Sequence, residues 1–181
     1  MRRRSGGGAR VRYCGSTDID GRVVTVMRVP PPLLGLAAAL AQRAITGATP
    51  APDAGRIAVT GTLSMASIAL AGAAAGKFRR SGTTVDPLRP ETPSVLVTSG
   101  ANSISRNPMY VGMAGLLVAH ALWRRSWVAL LPVAVFVMLI DRLQIQAEES
   151  ALAGTFGAEY DAYRAASPRW LDRRSLGVLK P

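Results

Sequence analysis

The chain has 181 residues, 49% of them hydrophobic, with 22 Lys+Arg against 11 Asp+Glu and a formal net charge of +11. The lone Cys14 excludes an intrachain disulfide, and with a single histidine it leaves too few soft ligands for a zinc centre. Basicity on this scale accompanies nucleic acid, anionic lipid or the cytoplasmic loops of a membrane protein, so the placement of the charges has to decide.

The first 26 residues, "MRRRSGGGARVRYCGSTDIDGRVVTV", are Gly- and Arg-rich and have no helical apolar stripe. They read as a disordered basic extension, with Met27 a second candidate start. The domain division that follows is a 1–28 extension and a 29–181 membrane domain. Four uncharged stretches succeed one another. "VPPPLLGLAAALAQRAITGA" at 29–48 is interrupted by Gln42 and Arg43. "IAVTGTLSMASIALAGAAAG" at 57–76 is just long enough for a hydrocarbon core of about 30 Å and is rich in small residues that let helices approach. The stretches 107–123 and 126–140 are joined only through Arg124 and Arg125, which predicts a tight helical hairpin over 107–140. Pro132 is expected to kink its second arm. A soluble helical bundle is the competing reading for any one stretch. Four in one short chain favour an all-α, polytopic membrane protein of about four spans.

The basic residues fall in five groups of 7, 2, 5, 2 and 6 around these stretches. That alternation is what the positive-inside rule requires of four spans, with both termini cytoplasmic and the protein in the inner membrane. Topology thereby accounts for the charge, and nucleic acid is not an expected partner.

Two polar regions are then expected on the cytoplasmic side. Residues 82–112 contain Pro87, Pro90, Pro93 and Gly100, which rule out a long helix. Pro108 suits the first turn of the next helix. Gly112 and Gly115 open space beside it for a ligand or another helix. Residues 141–170 continue the last apolar helix into a helical C-terminal tail. Helical spacing places Arg142, Gln146, Glu149 and Phe156 on one face, with Glu148 on the next. Gly157 breaks the helix, a short one carrying Tyr160 and Tyr163 follows, and Arg169 and Trp170 read as interfacial anchors. Local spacing alone allows either a binding site or an interfacially anchored helix with solvated glutamates.

Taken in order, "TTVDP" (83–87), "LVTSG" (96–100), "SRNPMYVG" (105–112), "EESAL" (148–152), "FGAEYDAYR" (156–164) and "RW" (169–170) form a pattern. It resembles the integral-membrane methyltransferases that include isoprenylcysteine carboxyl methyltransferase and the phospholipid N-methyltransferases. The resemblance covers roughly half the chain and implies S-adenosylmethionine as methyl donor, a pocket at the cytoplasmic ends of the last helices, and an acceptor delivered from the bilayer. It departs at "GANSI" (100–104), where the family commonly carries Gly-Pro-aromatic-Arg-aromatic. The change bears on the acceptor side of the pocket.

The resemblance implies catalytic roles for Arg106, Glu148 and Glu149. Its implied cofactor-binding set is Arg106, Asn107, Pro108, Met109, Tyr110, Gly112, Met113, Glu149, Tyr160 and Tyr163, with no metal. Arg106 is expected to hold the donor's carboxylate, and Glu148 or Glu149 to pair with its ammonium or to act as base for an amine acceptor. His120 is a rival base, though a lone helical histidine is more often structural. Expected partners are the bilayer and a lipophilic methyl acceptor. Two other functions compete: an NADPH-dependent membrane reductase of the sterol-reductase type, and a non-catalytic membrane interaction protein on the same scaffold.

Overall fold

The computed structural model describes residues 29–49, 51–80 and 95–178. The basic extension and the 83–87 motif lie outside the described residues. Among the described residues all regular structure is helical. Helix α1 spans Pro31–Thr46, with Pro31 at the first helical position, where its missing N–H costs nothing. Gly47, at φ 59°, closes it. Helix α2 runs Ala54–Arg80, capped by the Asp53 carboxylate, which accepts from the Arg56 N–H at 2.9 Å. A short α3 (Ala101–Ile104) precedes α4 (Pro108–Trp123), and α5 (Leu130–Ile140) returns antiparallel to it. A π-helical turn, Asp141–Ile145, carries α5 without a break into α6 (Gln146–Phe156). Helices α7 (Ala158–Ala166) and α8 (Arg173–Val178) finish the described chain.

Two helical segments are long and apolar enough to cross a membrane, Ala54–Lys77 and Trp127–Phe156. Only 17% of the apolar window of the first is buried inside the molecule, so its apolar side chains face outward. Helices α1 and α4 have 16 residues each, about 24 Å, which is short of a full hydrocarbon core. The expected 107–140 hairpin is present, with Arg125 at its tip in the left-handed region at φ 49°.

Pro132 falls in the first turn of α5, just after a 3₁₀ turn at Trp127–Ala129, close to the start of the helical run where proline is best tolerated.

Gly112 and Gly115 are used for helix packing. A β-carbon on Gly112 would lie 2.6 Å from the Ser67 carbonyl oxygen and 2.8 Å from Ala71 Cβ, and one on Gly115 would strike the Ser67 hydroxyl. The small residues thus bring α4 directly onto the backbone of α2. On its other side α4 joins α1 and α5 in a core of Ala38, Tyr110, Leu117, Val133, Phe136, Ile140 and Ile145.

Gln42, which interrupts the first apolar stretch, is fully buried and fastens α1 to the hairpin. Its Nε2 donates to the carbonyls of Leu117 and Ala129, both at 2.9 Å, and its Oε1 lies 2.8 Å from His120 Nδ1. Both amide hydrogens are committed to carbonyls, so the oxygen must accept and His120 carries its hydrogen on Nδ1. Arg124 closes the same end by donating to Thr46 Oγ1 at 2.6 Å.

Candidate active site

The site gathers at the opposite end of α4, where Pro108 occupies the first helical position. The three residues before it clamp the segment that follows α7. Ser105 Oγ and Asn107 Nδ2 each donate to the Arg169 carbonyl at 3.0 Å, and the Arg106 N–H donates to the Pro168 carbonyl at 2.8 Å. Arg106 Nη1 also donates to the carbonyls of Ser167 and Arg164. Two motifs about 60 residues apart in the sequence are therefore two halves of one joint.

The charged centre of the joint is Glu149, whose side chain is 12% exposed. Its Oε1 accepts from Arg106 Nη2 at 2.7 Å and Nε at 3.3 Å, and from Arg169 Nε at 3.2 Å. Its Oε2 accepts from Arg169 Nη2. Arg169 in turn donates from Nη1 to both oxygens of Asp141 at 3.4 Å, and the Trp170 indole N–H donates to Asp141 at 3.1 Å. The hydrogen bond with Glu149 pushes Arg169 above the ordinary arginine range. Beside this network the Tyr110 hydroxyl donates to Glu148 Oε1 at 2.7 Å.

The π turn explains which residue joins Glu149 in holding Arg169. In a continuous α-helix Arg142, seven residues earlier, would share the face of Glu149, while Asp141 would stand about 80° away. The wider turn inserts one extra residue, swings Asp141 into line and carries Arg142 to an exposed position. The face expected from regular helical spacing is thereby corrected.

Of the residues named from the sequence, the fold unites Arg106 with Glu149 and Tyr110 with Glu148, and sets Asn107 and Pro108 at the same helix start. Met109 is half-buried in that turn. Gly112 is taken up by α2, and Met113 packs into the core, its methyl 3.1 Å from where a β-carbon on Gly35 would stand. Tyr163 donates to the Asn102 carbonyl at 2.8 Å and meets Tyr160 edge to face, with centroids 6.2 Å apart. Burial pushes the Tyr163 phenol up to about 12 and raises Tyr160 too, the charge of Glu149 adding to the latter. His120 stands about 20 Å along α4 from Arg106, at the other end of the bundle.

Asp141, Ser105, Arg169 and Trp170 were not among the expected site residues. Arg169 and Trp170 stand in the quoted "RW" pair, and their side chains are bonded to Glu149 and Asp141. An apolar cavity of ≈ 670 Å³ lies alongside, walled by Leu70 and Ala73 of α2, Ala101 and Ile104 of α3, and Leu171 and Asp172.

Two apolar helices that face outward, with an ion network at one end of the helix bundle, suit a membrane protein with a polar site at that end. The family model for phospholipid methyltransferases matches residues 56–159, more than half of the chain, and the chain belongs to that family. It is also 38% identical over 63 residues to an uncharacterized protein of Haemophilus influenzae, a match covering 35% of this chain and all of that protein. No solved structure matches. Family membership makes the protein a membrane methyltransferase.

Proposed function

We propose that the protein transfers a methyl group from S-adenosylmethionine to a lipid-borne acceptor, carboxylate-like or amine-like, at the cytoplasmic face of the membrane. The observation that carries this reading is the joining of Arg106 and Glu149, both within the family match, to Arg169 at the helix end beside the Tyr110–Glu148 pair. Two guanidiniums meet the carboxylates of Asp141 and Glu149 there, and Glu148 stands beside them on Tyr110. Both signs of charge are present, which suits a donor bearing a sulfonium, an ammonium and a carboxylate. The residues present fit that group.

The donor would supply an electrophilic methyl on sulfur, open to in-line displacement by the acceptor's lone pair. Glu148, held by Tyr110, takes the cationic end of the donor, or removes the proton when the acceptor is an ammonium. Arg106 is expended on Glu149 and on two carbonyls, so the more exposed Arg169, at 34%, is the guanidinium offered to the donor's carboxylate. The joint of 105–107 with 167–169 keeps these groups in register, and positioning is most of what methyl transfer needs. The apolar cavity beside α3 is suited to the acceptor's hydrocarbon, and its wall includes "GANSI" residues.

Detergent-purified protein should bind S-adenosylhomocysteine and not NADPH, and should label a lipid in an extract supplied with methyl-labelled donor. Reporter tags at either terminus should stay cytoplasmic while one at 124–125 is exported, as the alternating arginines require. Absence of both homocysteine-analogue binding and labelling would leave a non-catalytic membrane scaffold.

A further inference from the structure

We propose that Asp141 is a positioning residue for this reaction: from the π turn it holds the Arg169 guanidinium across Glu149. The inference rests on the reading of Arg169 as part of the donor site.

Three observations carry it. First, two guanidiniums converge on the single carboxylate of Glu149, and Asp141 is the second carboxylate that reaches Arg169, through both of its oxygens. Arg106 already has Glu149 and two carbonyls, so without Asp141 the two arginines would share one negative charge while crowded together. Second, Asp141 accepts from the Trp170 indole at 3.1 Å, so it holds consecutive residues of the segment from two sides. Third, Asp141 reaches this face only because the helix widens at Asp141–Ile145, an irregularity that recurs at functional sites. Asp141 touches neither reacting group, and it acts through Arg169.

The test uses the full chain with Trp123→Phe and Trp127→Phe, which makes Trp170 the sole indole, in three versions: Asp141→Ala, Asp141→Asn and Asp161→Ala. Asp161 pairs only loosely with Arg164, at 3.7 Å on the exposed face of α7, and serves as the control. Asp141→Ala should shift Trp170 emission, speed tryptic cleavage after Arg169, and weaken S-adenosylhomocysteine binding by about tenfold, equivalent to ~1.4 kcal/mol. Asp141→Asn keeps an acceptor for the indole but loses the charge. It should leave the emission near that of the parent while still weakening binding several-fold. Asp161→Ala should change none of these.

If Asp141→Ala moves the emission but binds the analogue like the parent, the residue is only structural and the proposal is overturned. If the parent itself binds no analogue, the donor-site reading fails. Cleavage after Arg169 then still reports whether Asp141 holds that arginine, and an unchanged rate in Asp141→Ala overturns the positioning role as well.

Discussion

Arg106 and Glu149 meet at 2.7 Å with side chains 9% and 12% exposed, joining the segment that leads into α4 to the first turn of α6. Arg106 donates through all three of its guanidinium nitrogens, two to the carboxylate and one to the carbonyls of Arg164 and Ser167. The guanidinium is thus a strut between three parts of the chain.

Arg106→Lys keeps the charge and loses the fork, and Glu149→Gln leaves two guanidiniums without their shared anion. Breaking a buried pair by removing one partner costs about 3–5 kcal/mol. Both variants should lower thermal stability in detergent and lose S-adenosylhomocysteine binding. Arg124→Ala should loosen the far end of α1 and leave that binding intact. Site variants that bind and melt like the parent would remove the strut from the account.

Gly112→Ala forces a methyl against the Ser67 carbonyl and Ala71, where backbone cannot yield cheaply. Overpacking of this kind costs about 1–3 kcal/mol. Gly72→Ala is the matched control, because nothing lies within 4 Å of its β-carbon position. A better helix former there should be neutral or stabilising by up to about 1 kcal/mol. Melting temperatures of the two variants should move apart.

Tyr163 should ionise late. Its phenol sits at about 12 in the fold against 10.0 when unperturbed, because burial disfavours the phenolate. The folded state holds its proton longer than the unfolded one, so this contribution is complete below pH 10 and is lost between pH 10 and 12. A tyrosinate absorbance titration should show a late step that Tyr163→Phe removes. The same variant leaves the Asn102 carbonyl without its donor and should cost about 1 kcal/mol.

Gln42→Leu should destabilise without touching the site. It strips hydrogen bonds from the carbonyls of Leu117 and Ala129 and from His120 Nδ1, each left buried or half-buried at a cost of about 1–3 kcal/mol. Unfolding should come earlier while S-adenosylhomocysteine affinity stays at the parent value. A fall in affinity with unchanged stability would instead couple the two ends of α4.

The sequence by itself determined the helical class, the apolar stretches and the helix start at Pro108, because hydropathy and proline chemistry are local. The ordered motifs were enough to indicate the methyltransferase family, and they placed Arg106, Tyr110, Glu148 and Glu149 among the residues to watch. Tertiary structure alone decided the pairings. Regular helical spacing aligned Arg142 with Glu149, and the π turn replaced it by Asp141, a change no 3.6-residue period can foresee. Gln42 looked like a flaw in an apolar stretch until two carbonyls and a histidine from the hairpin were brought around it. Gly112 left space for a ligand or a helix, and only the approach of Ser67 and Ala71 showed that a helix fills it. Arg169 meets Glu149 because the side chains of Ser105 and Asn107 hold its carbonyl. Long-range polar partners are set by how helices dock, and one-dimensional periodicity carries no record of docking.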